Sequence, residues 1–226
     1  MLPHGIPPNP HNGAMPMLAD LTVCAARHFS DYTDPTGTRA FRAYDRQGCP
    51  RVLEPVDFFA PALLDAPLHG EHVRDMFLPS GPYRILRDAM DRVLADEDAS
   101  VAQFKDQDLT AAAGPWSLVR GALVACESTP DIKAVKVTKV LHRKRPALVP
   151  IFDSRVAAFY GVSRNKPWDF WPVIQDELLQ HADWLHHLTK NTLTPDGRPV
   201  TELRALDIVV WEHVTSGCTE LSRTNE

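Results

Sequence analysis

The residues with the clearest potential for chemistry lie between positions 129 and 156. Asp153 stands directly before an apolar segment and follows a loop bounded by Pro146 and Pro150. A carboxylate held at the mouth of a pocket can stabilise a developing positive charge and orient a water molecule for attack. Aspartate is also a favoured N-cap residue, worth about 1 kcal/mol to the helix that it begins. The sequence therefore supports a catalytic and a structural interpretation of Asp153, and the two roles are compatible.

A run of cations without any acidic residue precedes this carboxylate. It comprises Lys133, Lys136, Lys139, Arg143, Lys144 and Arg145. Positions 136, 139 and 143 share one face of a helix, which could follow a phosphate backbone. The run could instead be a solvated helix face whose C-terminal cations interact favourably with the helix dipole, and Arg145 could equally pair with a carboxylate at the edge of the core. Because the formal net charge is −5, contact with DNA would depend on this local patch.

Residues 129–141 read TPDIKAVKVTKVL, and residues 142–156 read HRKRPALVPIFDSRV. This segment resembles the helix-hairpin-helix superfamily of base-excision DNA glycosylases, whose signature reads LPGVGRKTAxxVL, then a variable loop, then VDTHV. Pro130 matches the proline of the signature, and Val135 takes the position where lyase-competent members carry lysine. Asp153 follows Val135 by 18 residues, which is the spacing that the family keeps between these two positions.

The resemblance implies a monofunctional hydrolase of an N-glycosidic bond. Asp153 would stabilise an oxocarbenium ion and activate water, acting on a base extruded from the duplex. Val135 cannot form a Schiff base, which excludes lyase chemistry by that route. Asp131 and Lys133 replace the two hairpin glycines, and a carboxylate at roughly 4 Å would repel a phosphate by about 4 kcal/mol at an effective dielectric of about 20. The resemblance makes DNA the partner and assigns its contacts to Lys133, Lys136, Lys139, Arg143, Lys144 and Arg155.

Two other classes of function stay open. The first is a non-catalytic helical module that keeps the scaffold and binds nucleic acid or a protein partner, which the replaced glycines, Val135 and the acidic net charge favour. The second is an enzyme acting on a small nucleoside-like metabolite, for which a negative surface is no handicap.

The sequence favours neither a metal nor a cofactor. The cysteines at positions 24, 49, 126 and 218 are widely separated, which argues against zinc or iron–sulfur sites built from neighbouring thiolates and predicts reduced, mostly buried thiols. The histidines near position 186 form no HExxH pattern, and the glycines form no GxGxxG or Walker pattern. Trp168, Trp171 and Trp184 suit the buried side of a helix better than a platform for stacking a base.

The elements that must position these residues are helical. A chain of 226 residues with 44% hydrophobic residues fits one domain, or two interlocked subdomains. The apolar stretches are too short to cross a bilayer, and prolines interrupt the start of the chain, so we expect a cytoplasmic protein without a signal peptide. Residues 1–17 are rich in proline and predict a disordered tail.

The predicted fold is all-α, with a helix-hairpin-helix-like element. Helical periodicity predicts one subdomain over residues 55–150 and a second layer from residues 18–54 and 151–226, with a cleft near Asp153. One helix is predicted from Asp20 to Phe29 and a long one from Pro167 to Leu188. Alternation over residues 38–44, a turn at 47–48 and residues 51–53 could form a small β-hairpin. The oligomeric state is left open.

Overall fold

The computed structural model describes residues 17–218. Apart from Met17, the predicted tail lies outside these residues. The described chain forms twelve α-helices and four short 3₁₀-helices, with no strand, so the predicted all-α fold is confirmed. Among residues 17–218, no helix combines the length and the apolar character that crossing a membrane requires.

Residues 18–101 contain six α-helices and two 3₁₀-helices. The α-helices are α1 (Thr22–Thr33), α2 (Phe41–Tyr44), α3 (Pro55–Phe59), α4 (Gly70–Met76), α5 (Arg84–Ala95) and α6 (Glu97–Val101). The 3₁₀-helices are Leu18–Leu21 and Ala60–Leu64.

Residues 104–216 contain six further α-helices. They are α7 (Pro115–Glu127), α8 (Ala134–Lys144), α9 (Ser154–Phe159), α10 (Phe170–Gln180), α11 (Ala182–Thr189) and α12 (Glu202–Ser216), with 3₁₀-helices at Phe104–Asp106 and Pro167–Asp169.

Helices α5 and α7 pack along each other. Leu86, Met90 and Val93 of α5 are completely buried, because positions four and three residues apart fall on the same helix face. Helix α7 begins at Pro115, where the missing N–H removes no helical hydrogen bond. Helix α8 in turn packs on α7.

Helix α12 is the central element of the fold. Its segment 203–210 is buried at every position, and the helix contacts α1, α9 and α11. A helix that is apolar on all sides is normally a core helix. Arg204 and Asp207 interrupt this apolar segment and are buried with it. A single cluster of buried apolar side chains extends from Leu18 to Val210 and spans both predicted layers.

The predicted β-hairpin near the amino terminus is wrong. Residues Phe41–Tyr44 form helix α2, and residues 38–40 and 51–53 adopt turns and bends. Side chains that are distant in sequence donate hydrogen bonds to the backbone carbonyl oxygens of this segment. Arg143 donates to those of Ala43 and Tyr44. Lys144 and Arg145 donate to those of Cys49 and Pro50. Those carbonyl groups are therefore satisfied without a partner strand.

The predicted long helix from Pro167 to Leu188 is divided into three. A 3₁₀ turn leads into α10, and the chain bends at His181, whose ψ of 17° departs from helical geometry, before α11 begins. The bend allows α11 to pack on α12. Continuous hydrophobic periodicity could not reveal this change of direction.

Candidate functional site

The segment that carries the glycosylase resemblance begins in the turn between α7 and α8. Helix α7 ends at Glu127 and α8 begins at Ala134. Asp131, which replaces the first hairpin glycine, has a φ of 61°, in the left-handed region that glycine adopts most readily. The Lys136 ammonium donates to the Asp131 carbonyl oxygen at 3.2 Å and supports the turn. The turn between α7 and α8 therefore contains no glycine.

Helices α8 and α9 bring Lys139 and Asp153 into a buried ion pair. Lys139 Nζ lies 2.9 Å from Asp153 Oδ2, and the side chains are 2% and 12% exposed. Asp153 Oδ1 accepts a hydrogen bond from the Arg155 backbone N–H at 2.9 Å, so Asp153 also caps α9. Lys139 Nζ donates a further hydrogen bond to the Leu64 carbonyl oxygen at 2.6 Å. The predicted N-cap role of Asp153 is confirmed.

The backbone around this pair is fixed by the neighbouring residues. The Phe152 backbone N–H donates to the Thr138 hydroxyl at 3.1 Å, which joins the loop before α9 to α8. The Tyr44 hydroxyl donates to the Lys139 carbonyl oxygen at 2.7 Å. These contacts hold the ammonium and the carboxylate on facing elements, which preserves the short distance between them.

A second charged group lies beside the first and centres on Arg204. The guanidinium donates to both carboxylate oxygens of Asp45 at 2.8 Å, to Asp207 and to the Tyr32 hydroxyl at 3.0 Å. It also lies over the Tyr32 and Tyr44 rings, 5.3 and 5.1 Å from their centroids. A planar guanidinium suits this site because it can bond two carboxylates while stacking on aromatic rings.

Burial and charge shift the proton equilibria of this group. Burial raises the pKa of Asp207 to about 6, with a further increase from the Asp153 carboxylate, while Arg204 and Lys139 oppose the shift. Burial alone would lower the pKa of Arg204, but the facing Asp45, Tyr32 and Asp207 raise it well above its usual value. Arg204 is therefore charged, whereas Asp207 changes protonation state near neutral pH.

The two charged groups meet at a small cavity. Its volume is about 10 Å³, which is room for about one water molecule. The polar wall is formed by Lys139, Asp153, Arg204 and Asp207, and the other lining residues are Tyr32, Leu64, Ile151, Ile208 and Trp211. The site therefore contains two carboxylates, two cations and two aromatic rings, and it is a cavity of about 10 Å³ rather than the cleft that we predicted near Asp153.

Three of the cations predicted to bind nucleic acid are inside the protein. Lys139 pairs with Asp153, as described above. Lys144 is completely buried, 2.7 Å from Asp57 Oδ2, and donates to two backbone carbonyls. Arg143 Nε lies 3.2 Å from Asp57 Oδ1. The phosphate-binding prediction is wrong for Lys139, Arg143 and Lys144, because their charges are neutralised internally.

The neighbouring Arg145 is also buried, but its partners differ from those that we expected. Its guanidinium donates to the carbonyl oxygens of Pro50 at 2.7 Å and Leu94 at 2.6 Å. Burial lowers the pKa of Arg145, with further lowering by Arg51, whereas Asp96 opposes the shift. Arg145 therefore joins α5 and the loop after α2 to the end of α8.

The other three predicted nucleic-acid contacts remain accessible. Lys133 and Arg155 are exposed, and Lys136 is half-buried. Lys133 and Lys136 lie at the start of α8, and Arg155 lies at the start of α9 beside the capping carboxylate of Asp153. They are the members of the predicted patch that a phosphate in solvent could reach.

The aromatic and cysteine predictions are partly wrong. Trp171 is buried as predicted, whereas Trp168 is 37% exposed and donates to Glu127 at 2.7 Å. Cys24 and Cys218 are joined as a disulfide, so the prediction of reduced thiols fails for this pair. Cys126 is a buried free thiol, as predicted, and the remaining free cysteine is exposed.

Sequence reasoning missed the Arg204 group. Two charged residues, Arg204 and Asp207, stand within the otherwise apolar segment 203–210, and that contrast was the available signal. Charged residues in a core helix are costly unless they are paired. Asp45 and Tyr32 are far from α12 in sequence and could not be paired with it by any local pattern.

Comparison with known proteins gives one relationship. Residues 25–214 match the model of DUF6308, a family of unknown function. The chain belongs to the DUF6308 family. Neither the curated proteins nor the solved structures provide a match. Lys139, Asp153, Arg204 and Asp207 all lie within the part of this DUF6308 protein that matches the family.

Proposed function

We propose that this DUF6308 protein hydrolyses an N-glycosidic bond in a small nucleoside-like substrate. The observation that carries the proposal is the Lys139–Asp153 ion pair, 2.9 Å long, on the wall of a cavity that Asp207 also lines. Two carboxylates in contrasting environments are what glycosidic hydrolysis uses, one as an anion and one as a proton donor.

The roles of the two carboxylates follow from their partners. Asp153 pairs with the Lys139 ammonium, and its carboxylate stabilises the oxocarbenium ion that forms when the bond to the base breaks. Asp207 has a raised pKa, to about 6, and donates its proton to the departing base. A water molecule then attacks the sugar carbon and returns a proton to Asp207, which balances the reaction as sugar plus free base.

Lys139 and Arg204 are positioning residues in this scheme. Lys139 holds Asp153, and Arg204 bonds Asp207 and the Tyr32 hydroxyl. Trp211 is half-buried and lines the cavity with Tyr32, and aromatic rings offer a surface on which a base can stack. The ligand-free cavity admits about one water molecule, so entry of a nucleoside requires the half-buried Trp211 and Leu64 at its wall to move.

A small substrate is favoured over duplex DNA by the distribution of charge. Three of the six predicted phosphate contacts are satisfied inside the fold, and Asp131 stands at the hairpin position that would approach a phosphate. Lys133, Lys136 and Arg155 are too few to supply the dense phosphate contact typical of DNA-binding proteins.

The test is release of free base from the common purine and pyrimidine nucleosides, measured by chromatography. Asp153→Asn keeps an oxygen that can cap α9, and Asp207→Asn keeps the shape of the protonated acid. We expect both to lower kcat by at least about 100-fold, with the helical circular dichroism unchanged. Asp176→Asn, at an exposed position of α10, is the matched control. A wild-type protein that releases no base, or an Asp153→Asn variant with full activity, contradicts the proposal.

A second candidate is a non-catalytic helical module, which the cavity of about 10 Å³ favours. In this case Lys139, Asp153, Arg204 and Asp207 are a buried network that fixes the packing of α12. Binding to duplex DNA at low and moderate salt separates the candidates: salt-sensitive binding that is lost in Lys133→Ala, Lys136→Ala and Arg155→Ala supports a nucleic-acid module. Nucleoside hydrolysis without DNA binding supports the enzyme.

A further inference from the structure

Two cysteines and two histidines from opposite ends of the described chain meet at one place. They are Cys24 and His28 of α1, His213 of α12 and Cys218 just beyond it, and their ligand atoms all lie within 4.8 Å of one another. Cys24 and His28 are four residues apart and share a face of α1. Gly217, with a φ of 68°, ends α12 and directs the chain so that Cys218 faces His213.

Potential metal-ligating atoms of this group lie close to one another. His213 Nδ1 lies 3.2 Å from Cys218 Sγ and 3.9 Å from Cys24 Sγ. His28 is 3% exposed, and its Nε2 is buried with no hydrogen-bond partner among the described residues. A buried ring nitrogen without a partner costs free energy. A ligand at the centre of the group would remove that cost.

We propose that Cys24, His28, His213 and Cys218 bind one Zn²⁺ ion when the two thiols are reduced. Two sulfur and two nitrogen ligands in a closed tetrahedral arrangement form a structural zinc site. Zinc–sulfur bonds of about 2.3 Å and zinc–nitrogen bonds of about 2.0 Å place the ligand atoms about 3.3–3.8 Å apart. That range lies inside the 4.8 Å limit within which the four atoms already sit.

The ligand set balances the charge of this ion. Zinc binds the neutral imidazole of histidine and the thiolate of cysteine. Each thiol releases one proton to solvent when Zn²⁺ binds, so two thiolates balance the charge of the ion.

Zinc and the Cys24–Cys218 disulfide exclude each other, because a disulfide holds its sulfur atoms about 2.05 Å apart and uses both of them. Two equivalents of a thiol reductant supply the two electrons and two protons that convert the disulfide into the two thiols, and are themselves joined as a disulfide. Zinc then links α1 to the end of α12, joining residues that are 194 apart in sequence. The expected role is structural, and it does not depend on the proposed hydrolysis.

The experiment uses the full chain, reduced, stripped with a chelator and titrated with Zn²⁺ alone. Metal analysis after desalting is expected to give one Zn²⁺ per chain, with a higher Tm than the metal-free protein. Co²⁺ in place of Zn²⁺ is expected to give the visible absorption of a tetrahedral site with thiolate ligands. Cys218→Ser and His28→Gln each remove a ligand, and we expect each to weaken Zn²⁺ binding by more than about 100-fold.

The control variants are Cys49→Ser and His187→Gln, which replace an exposed thiol and an exposed imidazole. Both are expected to retain one Zn²⁺ per chain. Cys218 lies just beyond α12, so Cys218→Ser is expected to stay folded even if His28→Gln does not. The proposal is overturned if the reduced protein takes up no Zn²⁺, if Cys218→Ser binds it as tightly as the wild type, or if Cys24 and Cys218 form the disulfide again in the presence of reductant and Zn²⁺.

Discussion

Lys144 Nζ lies 2.7 Å from Asp57 Oδ2, and both side chains are almost completely buried. The same ammonium donates to the carbonyl oxygens of Gln47 and Cys49 at 3.0 and 2.8 Å. All three partners lie far from Lys144 in sequence. The Lys144 ammonium at the end of α8 therefore joins the loop after α2 to α3, because it contacts both of them.

Lys144→Met is expected to lower the free energy of unfolding by about 3–5 kcal/mol, because it leaves the Asp57 carboxylate buried without its closest cation. The measurement is urea denaturation followed by circular dichroism at pH 7. Lys133→Met removes an exposed lysine from the same segment and should change the free energy by less than about 0.5 kcal/mol. Equal effects of the two substitutions would mean that the Lys144 charge is not structurally important.

The basic run illustrates what the sequence could and could not reveal. Its position on one helix and the cap at Asp153 follow from local spacing, and both are present in the structure. The destination of each charge depends on Leu64, Asp57 and the carbonyl groups of the loop after α2, which are distant in sequence. Local periodicity contains no information about such partners. Cations in buried ion pairs and cations on a solvent-exposed, phosphate-binding helix face therefore have the same spacing in the sequence.

Arg204→Lys is expected to destabilise the protein by about 2–4 kcal/mol, although the charge is kept. A lysine cannot bond both oxygens of Asp45 while it also reaches Asp207 and the Tyr32 hydroxyl, which leaves buried polar groups unpaired. Thermal unfolding at pH 7 is the measurement. Arg164→Lys, at an exposed position, serves as the control. A change as small as that of the control would show that the guanidinium geometry is unimportant.

Asp207→Asn is expected to change how stability depends on pH. The folded-state pKa is about 6, against 3.8 for the unfolded chain, so the folded state binds more protons between these values. The contribution of Asp207 to stability is therefore greatest below about pH 4 and is lost as pH rises through about 6. The loss amounts to about 3 kcal/mol.

The asparagine variant lacks this dependence. Its stability relative to the wild type should thus increase by about 2 kcal/mol between pH 4 and pH 7, as measured by urea denaturation at a series of pH values. A stability difference that stays constant over this interval would show that Asp207 has an ordinary pKa in the folded protein.

Part of the helical order follows from helix-starting residues, since Asp153 caps the helix that we predicted after it and Pro55, where the predicted helical subdomain starts, is the first residue of α3. The predicted β-hairpin is wrong because distant side chains, rather than a neighbouring strand, donate hydrogen bonds to the backbone carbonyl groups of this segment. The Cys24–Cys218 contact was likewise invisible, because only the packing of α1 on α12 brings these residues together.

His142 is expected to make the protein sensitive to acid. Its Nδ1–H donates to the Val149 carbonyl oxygen at 2.7 Å, and its Nε2 is buried without a hydrogen-bond partner among the described residues. Burial lowers the pKa of His142 to about 3, against 6.5 in the unfolded chain, with Arg204 adding to the shift. Below pH 6.5 the unfolded chain therefore binds a proton that the folded protein does not.

The contribution of His142 to stability falls as pH decreases from 6.5 towards 3, by about 2 kcal/mol at pH 5. His142→Phe keeps a ring of similar shape and removes the titration. It should be less stable at pH 7 by about 1–3 kcal/mol, because the Val149 carbonyl loses its donor, yet it should lose about 2 kcal/mol less than the wild type between pH 7 and pH 5. His187→Phe, at an exposed site, should keep the wild-type acid sensitivity. Parallel pH profiles for wild type and His142→Phe would falsify the assignment of this sensitivity to His142.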